Sequence, residues 1–198
     1  MHQVTTSPDP IRAVSIAEAA TIIPRVERIL IFGCSGTGKS TLAQALARRF
    51  ELTYVSMDRD IFWLPGWKLR PREESVQRIR DAVTGERWIM DGNSPSTLPI
   101  RLARADMVLW RRPPRSVAVR GVLGRWWKYR GQTRPEMAPG CPEQIDLQFL
   151  QYIWTFEKRE APQFEAMLAS HGRGIPVLTL KSFRESDELL SLLPAANG

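Results

Sequence analysis

Cysteine and histidine are scarce in this chain of 198 residues, with two of each: Cys34 and Cys141, His2 and His171. The cysteines show no metal-ligand spacing, and neither histidine has an acidic or cysteine partner at such spacing. No zinc site, Ser–His–Asp triad or flavin motif is apparent, and both histidines read as surface residues. Cys34 lies inside a glycine-rich turn that a disulfide would obstruct, so the thiols read as reduced and Cys141 as structural. No window approaches 18 apolar residues, and no basic segment at the start leads into an apolar core. These absences argue against export and against a membrane-spanning helix, and predict a cytoplasmic chain with no membrane partner. Acidic residues are missing from one stretch. Between Met107 and Pro135 there are eight Lys or Arg and no Asp or Glu, and the net charge of +7 belongs largely to this segment. It reads as a solvated basic face, a phosphate clamp or a nucleic-acid patch.

Hydrophobic residues make up 43% of the chain, charged residues 25% and aromatics 9%, which suits one well-buried α/β domain. Residues 1–27 read as an N-terminal extension: "TTSPDP" is turn-prone, and "IRAVSIAEAATII" suits a short amphipathic helix before Pro24. From residue 28 to 198 strands and helices alternate, with no internal repeat. "RILIFG", "LTYVSMD", "RWIMDGN", "ADMVLWRR" and "IPVLTLKS" read as strands. "KSTLAQALARRF", "PREESVQRIRDAVTG", the basic stretch 116–130, "QIDLQFLQYIWTFEKREAPQFEAMLASHG" and "ESDELLSLL" read as helices. Repeated strand–helix–strand units predict a five-stranded parallel sheet with helices on both faces, a three-layer α/β fold. Ligands of such sheets bind at the carboxyl ends of the strands.

The first of those ends carries G-x-x-x-x-G-K-S, from Gly33 to Ser40. Gly33 and Gly38 stand where a tight turn needs positive φ or close approach of backbone to ligand. Backbone N–H groups through Gly33, Cys34, Ser35, Gly36, Thr37, Gly38 and the following Lys39, Ser40 and Thr41 form an anion nest at a helix N-terminus. In this pattern Lys39 places a charge on the β- and γ-phosphates of a nucleotide, and Ser40 offers a hydroxyl to Mg²⁺. A buried strand before and an amphipathic helix after supply the context that marks a P-loop for ATP. A base-reading N-K-x-D motif is missing, which argues against a GTPase, and the chain is short for a multi-part motor. Small kinases of the nucleoside, nucleotide and shikimate type remain.

Three further stretches, "MDRDIFWLPGW", "WIMDGN" and "YRGQTRPEMAPGCPEQID", resemble those of the bacterial DNA topology modulation protein family, which is similar in fold to adenylate kinase. The resemblance runs from about residue 28 to 190, and "RG-x-TRP-x-M-x-x-GCPE" is its most specific run. It implies phosphoryl transfer to an unidentified acceptor. Ser94 departs from the tyrosine common after "DGN" in that family, which bears on the acceptor pocket.

Asp58 ends the second strand within reach of a γ-phosphate, where a carboxylate accepts or orients the proton of an attacking hydroxyl. Asp60 is the other candidate to hold the acceptor, and shikimate-type kinases carry a similar D-x-D pair. Asp91 ends the third strand, where P-loop folds commonly place an acid in the Mg²⁺ shell; its bland reading is an Asp-Gly turn. Phe62, Trp63 and Trp67 flank "LPG" and either stack the acceptor or simply pack. The basic segment fits a lid over about 115–142, with Arg120 and Arg125 aimed at the transferring phosphate and Arg130 and Arg134 beyond them. Arg134 is assigned to the acceptor, and Arg111 and Arg112 read as solvated. In similar kinases the loop at Lys181 and Ser182 touches the adenine. The leading function is an ATP- and Mg²⁺-dependent kinase for a small acceptor, binding nucleic acid at most weakly and nonspecifically. The second is a nucleotide-dependent nucleic-acid-binding regulator that uses the basic stretch and Trp126–Trp127. The third, a simple ATP hydrolase, would leave the acceptor-side features idle.

Overall fold

The computed structural model describes residues 11–195, so the "TTSPDP" turn and His2 lie outside the described residues. Five parallel strands form the central sheet: β1 (Arg28–Gly33), β2 (Thr53–Ser56), β5 (Trp88–Asp91), β6 (Met107–Arg111) and β7 (Val177–Leu180). Their order is β2-β5-β1-β6-β7, with β1 central and paired to β5 and β6. Alternation along β1 sorts its apolar run between two layers, as a strand covered on both faces requires. Leu30 and Phe32 enter one core with Met90, Val108 and Trp110. Ile29 and Ile31 enter the other with Ile89, Leu109 and Leu178. Phe32 stacks on Phe164 with ring centroids 4.8 Å apart.

The second layer is built by α1 (Ile16–Ile22), α2 (Lys39–Phe50) and α8 (Phe183–Leu192). Ala19, Ala20 and Ile23 are buried in it, and Ala13 bridges Val177 in parallel, so residues 11–25 are packed onto the sheet. The first layer is built by α3 (Arg72–Val83), α4 (Leu98–Leu102), α5 (Arg115–Lys128), α6 (Leu147–Arg159) and α7 (Ala161–His171). The long helical stretch read after residue 143 is two helices. Pro162 stands in the first turn of α7, where a missing N–H costs nothing, and the break falls at Glu160.

After β2 the sequence reads as a loop, but the chain makes a π-helical turn over Met57–Phe62. It then forms a small antiparallel hairpin of β3 (Trp63–Leu64) and β4 (Lys68–Leu69). Asp60 shapes the turn: its carboxylate accepts from the Ser56 N–H at 2.8 Å and pairs with the Arg59 guanidinium at 2.7 Å. Single π-turns of this kind gather at functional sites. Among the described residues no helix is long and apolar enough to cross a membrane.

Candidate active site

Parallel strands bring Gly33, Ser56, Asp91 and Arg111 to one edge of the sheet, where their carboxyl ends meet. Gly38 caps α2 in the left-handed region, at φ +80°, with no side-chain cap. The N–H groups of the first turn of α2 therefore face whatever occupies the turn. Thr37 is fully buried and donates to the Cys34 carbonyl at 2.7 Å, which fixes the turn from inside. The Lys39 ammonium donates to the same carbonyl at 2.9 Å. Burial pushes its pKa down, and the Asp91 and Asp58 carboxylates oppose that shift.

Beneath the turn sits a side chain that the sequence reading misjudged. Arg111 is 1% exposed rather than solvated. It donates to the Thr37 carbonyl at 2.8 Å, to the Ser182 carbonyl at 2.7 Å and to the Ser186 hydroxyl. Burial holds its pKa down at about 10. Arg112 is paired as well, with Glu157 and, at 2.7 Å, with Glu165. The two arginines at the end of β6 thus tie the phosphate turn to α8, and the sheet edge to α6 and α7.

Two cavities meet at the turn. One, of about 310 Å³, is lined by Gly36, Gly38, Thr41, Lys128, Glu136 and Phe183 among others. The other, of about 370 Å³, is lined by Asp58, Trp63, Trp67, Asp91, Asn93 and Tyr152 among others. Lys39, Ser40, Arg125 and Arg134 line both. Asp91 is 4% exposed, and its Oδ1 has no hydrogen-bond partner among the described residues. Its Oδ2 accepts from the Tyr54 hydroxyl at 3.2 Å. Burial raises the Asp91 pKa, while Lys39 and the Ser40 hydroxyl pull it back. A bare carboxylate oxygen beside a hydroxyl is the donor chemistry of a hard divalent cation such as Mg²⁺. Asp58 stands exposed at the mouth, with no ion pair among the described residues.

Arg125 and Arg134 converge on one buried carboxylate, Glu143, at 2.7 and 2.5 Å. Arg134 and Glu143 belong to the loop between α5 and α6, which is anchored on both sides. Gln44 donates to Glu136 at 2.6 Å, and the Ser56 hydroxyl donates to the Glu136 carbonyl at 2.9 Å. Buried Cys141 accepts from the Trp67 N–H at 3.1 Å, and the Trp67 indole donates to the Pro142 carbonyl at 3.2 Å. Trp67 keeps a left-handed backbone, φ +59°, uncommon for a bulky side chain and of the kind that gathers at functional sites. The α5 helix lies against the phosphate turn itself. A Cβ at Gly121 would stand 2.0 Å from the Gly36 carbonyl oxygen.

The chain shares its fold with shikimate kinases. The shikimate kinase of Acinetobacter baumannii, in complex with shikimate, matches with a TM-score of 0.53 at 14% identity, over 87% of this chain and 93% of that one. That of Bacteroides thetaiotaomicron matches with a TM-score of 0.50 at 14% identity, over 84% and 95%. No family model matches the sequence, and no curated protein does. At such identity the likeness carries the three-layer P-loop fold and leaves the chemistry to the residues.

Not every candidate converges. Arg120 is exposed and lines neither cavity, and Arg130 lies over the Trp126 ring, 5.3 Å from its centroid. Asp60 is spent on the π-turn and faces a separate cavity with Arg59 and Arg78. Lys181 lines another cavity, beside Arg115. Ser94 keeps its hydroxyl toward Ser96 and lines neither cavity of the site. Several contributors went unread. Asn93 accepts from the Gly33 N–H at 3.0 Å and bonds the Tyr152 hydroxyl at 3.3 Å. Its position in "DGN" was a usable signal. Phe183 gave none, because it meets Gly38 from 145 residues away, and Glu143 stands in the "GCPE" run, whose residue types do not say that it gathers Arg125 and Arg134.

Proposed function

We propose that the chain is an ATP- and Mg²⁺-dependent phosphotransferase of small-molecule kinase type. The observation that carries this reading is the pair of cavities joined through Lys39, Ser40, Arg125 and Arg134. A transferring phosphoryl group has to be reached from both sides in line, and a hydrolase needs no second walled cavity. In this reading Gly33, Cys34, Ser35, Gly36, Thr37, Gly38 and Thr41 cradle the phosphates with backbone N–H groups. Lys39, Arg125 and Arg134 neutralise charge on the transferring group, and Asp58 accepts the proton of the attacking hydroxyl. Ser40 and Asp91 would hold Mg²⁺, which when bound screens the phosphate charge. Trp63 and Trp67 wall the acceptor. Asp60 and Arg120 keep supporting roles at most, the first through the π-turn. The "RG-x-TRP-x-M-x-x-GCPE" run supports membership of the DNA topology modulation proteins, which we likewise propose.

The nucleic-acid reading draws on the same basic segment, but half of its eight cations are engaged internally. Arg111 and Arg112 tie elements together, and Arg125 and Arg134 meet Glu143. The test is an acceptor screen. Without acceptor, ATP hydrolysis is slow, because the site must keep water from the γ-phosphate; one small hydroxyl compound raises turnover strongly. Asp58→Asn abolishes its phosphorylation and leaves ATP binding largely intact. DNA binding weakens steeply with salt. Tight DNA or RNA binding at physiological salt that follows the nucleotide state, with no stimulating small acceptor, would replace the kinase by the regulator.

A further inference from the structure

The two cavities differ in charge balance. On the nucleotide side, Lys39, Arg125, Lys128 and Arg134 face a single carboxylate, Glu136. On the acceptor side, Lys39, Arg125 and Arg134 face Asp58, Glu143 and Asp146, besides Asp91, which the kinase reading gives to Mg²⁺. In a protein of net charge +7, the acceptor wall is the exception.

The shared cations are not equally free toward the two sides. Glu143 lines only the acceptor cavity, its side chain is 2% exposed, and it holds both Arg125 and Arg134. An anionic acceptor would have to take those guanidinium groups from Glu143, leaving a buried carboxylate without a partner. Lys39 lines both cavities and in the kinase reading serves the transferring phosphates, so it is not left over for a charge on the acceptor. Asp58 and Asp146 lack any ion pair among the described residues; Asp146 accepts only the Phe149 N–H that it caps, at 2.7 Å. Most of the remaining wall is aromatic. Trp63 and Trp67 meet edge to face with centroids 5.1 Å apart, and Phe62, Phe149 and Tyr152 complete it. Such rings take the flat faces of sugars and bases, and they attract cations.

We propose that the acceptor is an uncharged or cationic polyhydroxy compound, of sugar, amino-sugar or nucleoside kind, and that carboxylates and phosphate monoesters are turned away. This rests on the kinase reading and names its acceptor class. It separates this site from the structural neighbour that holds shikimate, an acid.

The test is calorimetric binding to the full chain saturated with Mg²⁺ and a non-hydrolysable ATP analogue. Two charge series serve as probes: glucosamine, glucose and glucuronate; adenosine and AMP. The expected result is that at least one series binds, its uncharged or cationic members at least about tenfold more tightly than its anionic member, since like charges placed together are strongly disfavoured. In Glu143→Gln, which frees Arg125 and Arg134, that ratio shrinks or inverts. Should this variant fail to fold, the wild-type ratios decide alone. Anionic members that bind as well as or better than the others overturn the proposal, and so does a cavity silent to both series. The kinase reading is judged apart, by ATP turnover and its dependence on Lys39. An anion-preferring cavity with that turnover intact sinks the charge assignment only.

Discussion

At the scale of single residues, Asp91 and Lys39 are, in the proposed reading, the places where ligand binding is set against stability. A buried carboxylate whose folded-state pKa lies above its unfolded value is strained in its charged form at neutral pH, and desolvation puts Asp91 in that position. Asp91→Asn removes the charge and keeps the shape. Its melting temperature therefore holds or rises, while Mg²⁺-dependent ATP turnover falls by at least about a hundredfold, the scale of one preorganised electrostatic contact. A destabilised variant with normal turnover would mark Asp91 as a structural turn residue. Lys39→Ala removes the charge that both cavities share. Calorimetry and turnover should show ATP hydrolysis and transfer down by at least about a hundredfold with the fold retained. The same scale explains what was legible beforehand. The place of Gly33 to Thr41 could be read because the turn is local in sequence, and that of Asp58 and Asp91 because one follows and the other ends a recognisable strand. Arg111 could not, because its acceptors, the carbonyls of Thr37 and Ser182, lie 74 and 71 residues away. A cation satisfied by distant carbonyls has no charge pattern to betray it. Arg120 failed in the opposite sense: a basic helix says nothing about which face turns inward.

At the scale of elements, α5 is more than a carrier of basic side chains. The sequence suggested a lid helix, and a glycine inside a helix ordinarily only weakens it, by about 1 kcal/mol against alanine. At Gly121 the reason for glycine lies in another element, since any Cβ would strike the Gly36 carbonyl oxygen of the phosphate turn. Gly124, one turn on, has open space where its Cβ would be. The two substitutions should therefore differ in sign. Gly124→Ala gains up to about 1 kcal/mol from helix propensity. Gly121→Ala loses about 1–3 kcal/mol by overpacking, and ATP affinity drops because the turn and α5 are forced apart. Chemical denaturation of both variants, with ATP titrations, checks the pair. Equal effects would mean that α5 does not brace the turn. The hairpin β3–β4 carries a related lesson. "WLPGW" announced a turn with aromatic flanks, but its use as the far wall of a cavity depends on Cys141 and Pro142, more than 70 residues downstream.

At the scale of the whole molecule, the loop over 129–146 is the piece that makes two cavities into one site. It supplies Arg134 to both, Glu136 to the cavity lined by Gly38 and Phe183, and Glu143 to the cavity lined by Asp58 and Trp67. The bridges Arg130–Glu143 and Thr133–Pro142 lie within it, and it is tied to the rest by side chains rather than by a sheet or helix: Arg125–Glu143, Gln44–Glu136, Ser56 to the Glu136 carbonyl, Arg59 to the Pro135 carbonyl, and the small cluster of Met137, Ala138 and Cys141 against Trp63 and Trp67. Segments so attached open locally, well below the free energy of global unfolding. A protease needs several residues of released chain, so trypsin can cut after Lys128 or Arg130 only when the loop lifts; Arg134 precedes a proline and resists. A nucleotide that binds the closed form alone lowers the open population by the factor 1 + [L]/Kd, about a hundredfold at 100 times Kd. In the regime where cleavage samples that population, the cutting rate falls by the same factor. Trypsin digestion with and without a non-hydrolysable ATP analogue, followed by mass spectrometry of the fragments, reads this directly. Protection confined to the bonds after Lys128 and Arg130 is the expected result. Cleavage at equal rates in both samples would leave residues 129–146 as a surface loop, and Arg134 and Glu143 would lose their claim to the site.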